Sequence, residues 1–129
     1  MIQLISEMEE LLAVPFSEFK KKFTNIRTTE RNFQLLVEQA SDINNHILLE
    51  AGKETPETYR VSFVEIQKFG LIDYQISKEL AKSASLRNIL VHEYDFDEDN
   101  FIFYKSVKKF LPVYNKYISA IHKYLDKGK

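Results

Sequence analysis

The chain has no cysteine and no tryptophan, and only three glycines and three prolines among 129 residues. Without cysteine there is no disulfide, no thiolate metal site and no thiol nucleophile, and a reducing cytoplasm is the natural setting. With so little glycine there is no Gly-rich loop to cradle a phosphate or a dinucleotide, so no cofactor is implied. No apolar run approaches the roughly 18 residues that a membrane span needs. The start, MIQLISEMEELL, carries acid where a signal peptide would carry base. These readings point to a cytosolic protein without membrane contact. Charge of one sign is missing too: the net charge is −1, so any phosphate binding has to come from a local patch rather than from the whole surface.

What remains is ordinary globular material, 44% hydrophobic and 29% charged. No repeat, low-complexity tract or long linker divides it, so residues 1–129 read as a single domain. The few glycines and prolines punctuate helices. Gly52 and Gly70 each follow an apolar-periodic segment, where a left-handed C-terminal cap belongs. Thr55 and Pro56 have the order of an N-cap and a first helical residue. Phe33, Leu36, Val37, Ala40, Ile43, Ile47, Leu48 and Ala51 recur at three- and four-residue steps and stripe one long helix. Tyr59, Phe63 and Ile66 mark another. Ile76, Leu80, Ala84, Arg87, Leu90, Val91 and Tyr94 mark a third, started by Asp73. Asp97 is placed to cap the last helix, with Glu98 and Asp99 in its first turn, where the helix dipole favours negative charge. Pro112 interrupts that helix and predicts a kink or a restart. The fold class is all-α, a bundle of about five helices.

Chemistry concentrates in RNILVHEYDFDED, residues 87–99. Arg87, Asn88, His92 and Tyr94 fall within eight positions, followed by five carboxylates in the seven positions 93–99. On an ideal helix with about 100° per residue, Asn88 and His92 share a face, and Arg87 nearly superimposes on Tyr94. Arg87 and His92 lie about 140° apart, so only a long guanidinium stem or a distorted helix end aims both at one point. Arginine at a core-facing position is costly unless its charge is paired. Spacing alone leaves two readings open: a catalytic cluster, or the end of a core helix running into a solvated turn. The other candidates read as structural. His46 sits beside Ile43 and Ile47 as a partly buried, satisfied histidine, and His122 is exposed. Lys20 to Lys22, and Lys105, Lys108 and Lys109, are solvated helix faces. The histidines are too scattered for a zinc site, and no metal is expected.

RNILVHEY, an Arg-x4-His-x-Tyr pattern, resembles the HEPN superfamily, and within it the HepT toxins that pair with minimal nucleotidyltransferase (MNT) antitoxins. ERNFQLLVEQASDINNHIL (30–48) resembles that family's second long helix, and TPETYRVSFVEIQKFGLI (55–72) its third helix and the turn after it. The resemblance covers nearly the whole chain in order; Pro112 is a departure from it. It implies a homodimeric all-α bundle that joins two copies of the motif in one cleft. It implies a type VII-like toxin–antitoxin pair in which the toxin is a metal-independent endoribonuclease. Arg87 and His92 are then catalytic, Asn88 supports them, and Tyr94 is the tyrosine to which the MNT partner transfers AMP. The rival implication is a non-catalytic HEPN-like bundle that binds nucleotide or substrate for a nucleotidyltransferase.

Overall fold

The structure is a computed structural model that describes residues 1–92 and 96–127, with the side chains of 91, 92 and 96–99 outside the description. Among the described residues there are six helices and no strand: α1 (Ile2–Leu12), α2 (Phe16–Phe19), α3 (Phe23–Glu50), α4 (Tyr59–Lys68), α5 (Tyr74–His92) and α6 (Phe96–Lys127). The element beyond the expected five is α2, a single turn after Pro15. It exists to bury Phe19, which is fully enclosed against Tyr104 of α6 with ring centroids 5.1 Å apart.

Helix α3 is the spine. Most of its apolar stripe is buried: Phe33, Leu36, Val37 and Ala40 have no exposed surface and Ile47 and Leu48 almost none, while Ile43 is partly buried and Ala51, just past the helix, is exposed. The helix begins well before that stripe. Thr29, Glu30 and Asn32 are buried there as well, so the polar-looking stretch hides its inward face. Helices α1, α4 and α5 pack on α3, while α6 lies along α5 and α1. Phe63 of α4 stands edge-on to Tyr114 and Tyr117 of α6, with centroids 6.4 and 6.2 Å away. Burying each of those rings contributes about 1.5–3 kcal/mol.

The glycine caps are as expected. Gly52 and Gly70 adopt φ of 79° and 99°, a left-handed backbone in which a side chain would be strained. The amide after each reaches back to close the helix end, Lys53 to Leu48 at 2.9 Å and Leu71 to Ile66 at 3.2 Å. Asp73 caps α5 by accepting the Ile76 N–H at 2.8 Å.

Three expectations need correction. The cap of α4 is Thr58, whose hydroxyl accepts the Val61 N–H at 3.0 Å, and not Thr55 with Pro56. Helix α6 starts at Phe96, so Asp97 lies inside its first turn rather than at the cap. Of the kink or restart expected at Pro112, the restart is not seen, since α6 continues through the proline. Pro112 is exposed, so water can satisfy the carbonyl left without a donor one turn earlier. Leu111 and Tyr114 on either side are buried and hold both halves to one core.

Candidate active site at the C-terminal end of α5

Arg87, Asn88 and His92 of the motif lie in the last turns of α5. Arg87 projects from α5 toward the seam between α3 and α4. Its side chain is only 16% exposed, so the charge needs partners, and it has them. One terminal nitrogen, Nη2, lies 3.3 Å from Glu38 Oε1 on α3, and the other, Nη1, donates to Asn88 Oδ1 at 3.3 Å. The guanidinium carbon sits 4.7 Å from the centre of the Tyr59 ring, the stacking geometry of a cation–π contact. These three contacts come from three helices and fix the orientation of the planar group. They do not exhaust it: Nε is buried without a hydrogen-bond partner. A guanidinium has five N–H donors, so a held arginine with donors to spare suits bidentate phosphate recognition.

The seam around it is stiffened from below. Arg60 of α4 donates to Ser85 Oγ of α5 at 2.9 Å and reaches the Ala81 carbonyl at 3.5 Å. Ser77 ties the same two helices by donating to the Phe63 carbonyl at 3.1 Å. An arginine on a rigid platform is pre-organised, and less entropy is lost when it grips a ligand.

The remaining motif positions are reached in part. Asn88 is exposed, with its amide nitrogen turned away from the arginine it supports. His92 is the last residue of α5, so helix register places its Cα about 7.5 Å along the axis from Arg87. The side chain of His92, the whole of Tyr94 and the carboxylates of the acidic run 93–99 lie outside the described residues or side chains. Elsewhere, His46 is not a half-buried histidine: its side chain is 72% exposed and pairs with Glu50 at 3.1 Å, one turn along α3. His122 is exposed as expected, and so are all six clustered lysines.

Two residues that matter here carry no signal in the sequence. Glu38 follows the buried Val37 and looks like any solvated helix position. Tyr59 fits the apolar stripe of α4 and reads as core. Only the fold shows that both serve Arg87.

A profile of the family described as ribonuclease HepT-like matches residues 1–121 of this chain. The chain belongs to the HepT-like ribonuclease family. The HepT-like chain is 31% identical over 121 residues to a protein named tRNA nuclease HepT from Aphanizomenon flos-aquae, covering 94% of this chain and 82% of that one. A protein named mRNA nuclease HepT from Shewanella oneidensis is 37% identical over 78 residues, 60% of this chain and 59% of that one. Among solved structures, the tri-AMPylated Shewanella oneidensis HEPN toxin in complex with MNT antitoxin superposes with a TM-score of 0.81 at 28% identity, covering 94% of this chain and 90% of that one. The all-α HEPN fold and the toxin class of the HEPN/MNT module follow for this HepT-like protein.

Proposed function

We propose that this HepT-like chain cleaves RNA with Arg87 and His92, two copies of which meet in a homodimeric cleft. The observation that carries the reading is Arg87 itself, half-buried, oriented by Glu38, Asn88 and Tyr59, and still holding unpaired donors. In the reaction, the ribose 2′-oxygen attacks the adjacent phosphorus and the 5′-oxygen leaves. The products are a 2′,3′-cyclic phosphate and a 5′-hydroxyl. Histidine titrates near working pH, so His92 takes the 2′-proton or gives one to the departing oxygen, and the second copy supplies the complementary role. Arg87 holds the phosphate and stabilises the extra charge of the pentacoordinate state. DNA lacks the 2′-hydroxyl and is inert to this chemistry. The dimer is supported by exposed apolar side chains on α5 and α6: Ile89 is 41% exposed and Ile102 60% exposed. The purified chain should cut labelled RNA in EDTA and leave cyclic phosphate ends. A folded chain that leaves all RNA intact favours the non-catalytic partner reading instead.

The off-switch is AMP transfer to Tyr94 by a cognate MNT nucleotidyltransferase. The tri-AMPylated state of the Shewanella toxin supports it. Tyr94 follows His92, the last residue of α5, by two positions in the sequence, so an adduct there adds a phosphodiester and a nucleoside beside the motif. Incubation with the partner and ATP should add AMP mass to the Tyr94 peptide and not to a Tyr94→Phe variant. An unchanged mass in the wild-type chain contradicts the assignment.

A further inference from the structure

Beside Arg87, between α3, the N-terminal end of α4 and α5, lies an open cavity of about 340 Å³. Its walls include Ser41 and Asn45 of α3, Glu57, Thr58 and Tyr59 at the start of α4, and Asn88 of α5. Two of these residues already belong to the arginine platform: Tyr59 lies under the guanidinium and Asn88 accepts from it. The cavity is therefore the space that a nucleotide next to the gripped phosphate would enter.

The polar groups of this wall are only partly used inside the protein. Ser41 donates to Ser62 Oγ at 3.0 Å, and Thr58 Oγ1 accepts the Val61 amide. Asn88 Oδ1 is taken by Arg87, which leaves its amide hydrogens available. Asn45 Oδ1 is buried and has no partner. A buried acceptor left empty costs about 1–3 kcal/mol in an otherwise satisfied interior. Asn45 is also one helical turn from Ser41 on the same face of α3, and both residues line the cavity.

A side-chain amide with a free oxygen complements the amino bases, adenine and cytosine, and of the two the larger ring of adenine covers more of an aromatic face. The amide oxygen accepts from an exocyclic amine while its nitrogen donates to the neighbouring ring nitrogen, the pairing that asparagine makes with adenine. RNA is read through single-stranded, unstacked bases lying against aromatic rings and hydrogen-bonded on their edges, and Tyr59 provides a ring in the same wall. We propose that this cavity is a base pocket that seats an adenine next to the scissile phosphate on the Asn45 amide. The inference rests on the ribonuclease reading for its substrate class and adds the base that substrate presents. Asn45 does no chemistry; it selects.

The test separates the pocket from catalysis by using RNA that cannot be cleaved. The full chain is titrated with 2′-O-methylated decamers of A, C and U, and with an A decamer whose bases are purine lacking the 6-amine. The wild type should bind the A decamer about tenfold tighter than C or U, and loss of the amine should remove that margin. In Asn45→Ala the A-to-U affinity ratio should collapse to within about twofold, and the amine should no longer matter. Circular dichroism confirms that the variant is folded, and a general loss of folding would not change the ratio between decamers. Equal binding of all decamers by the wild type overturns the proposal, as does an adenine margin that survives in Asn45→Ala. A margin for C or U that depends on Asn45 overturns the adenine assignment. If the wild type cleaves no RNA yet keeps the Asn45-dependent margin, the ribonuclease reading fails and the pocket stands. Cleavage in EDTA without any margin sinks the pocket alone.

Discussion

The interior of this bundle contains two polar regions that share α3 and behave differently. The first is the tyrosine centre. Tyr117 donates its hydroxyl to the Ala40 carbonyl at 3.0 Å and contacts Asn44 Oδ1. Asn44 and Ser41 both donate to Ser62 Oγ, at 3.3 and 3.0 Å, and Ser62 passes its own proton to the Tyr59 carbonyl at 2.7 Å. Tyr114 pairs with Ser83 at 2.7 Å. Burial pushes both phenols well above the ordinary tyrosine pKa of 10.0. The second region is the arginine platform, where Arg87 Nε and Asn45 Oδ1 are buried and unpaired. A closed network holds α3, α4, α5 and α6 in register. An open one, a few residues along the same helices, has bonds left for a ligand. The two regions differ in how far their polar groups are used inside the protein, although Glu30 and Glu79 elsewhere also carry buried oxygens without a hydrogen bond.

The sharpest way to break that contrast is to exchange the consequences of mutating each side. His92→Ala should cut the RNA cleavage rate by about 10²- to 10⁴-fold while the helical circular dichroism is retained. Full activity per folded molecule would make the motif a structural feature. Tyr117→Phe should do the reverse, leaving the rate near wild type and lowering unfolding free energy by about 1–3 kcal/mol in urea titrations, because Asn44 Oδ1 loses its partner.

A smaller effect concerns Glu30, another residue with a buried oxygen that lacks a hydrogen bond. Burial raises its carboxyl pKa above the ordinary 4.5, against the opposing pull of Arg27. A raised folded-state value means that the folded protein binds the proton more tightly than the unfolded chain. Stability from this group is thus full below about pH 4.5 and declines as pH rises through the folded value. Glu30→Gln should flatten that decline and change stability at pH 7 by less than about 1 kcal/mol, seen by comparing urea midpoints across pH. Asn45→Ala should not lower the unfolding free energy at all, since no internal bond is lost and a buried unpaired acceptor is removed. A large destabilisation there would place Asn45 in the closed network instead.

Much of the fold was legible because it rests on local rules. The stripe on α3, the left-handed turns at Gly52 and Gly70 and the Asp73 cap each follow from a residue type at a fixed offset. Thr55 and Thr58 both fit a cap by type, and only the path of the chain after Gly52 chooses Thr58. Pro112 breaks a local rule that the fold overrides, because its face is in water and its neighbours are anchored. His46 shows the limit of a helical wheel, in which a place beside apolar residues is still compatible with a solvent-facing side chain. At the site, Arg87 and Asn88 stood out as charge and amide on a core helix. Glu38 and Tyr59 did not, because their roles come from contacts with Arg87 that lie 49 and 28 residues away in sequence. The spacing Arg-x4-His is visible in the sequence, while the helices that orient the arginine carry no motif at all.

The central claim is that Arg87 is held for use rather than for stability. It is tested by measuring RNA cleavage in EDTA and the urea unfolding midpoint on the same preparation of Arg87→Ala. The account predicts a rate at least about 100-fold below wild type, with a stability loss of about 1 kcal/mol from leaving the partly exposed Glu38 unpaired. A variant that unfolds yet cleaves at the wild-type rate per folded molecule would contradict it.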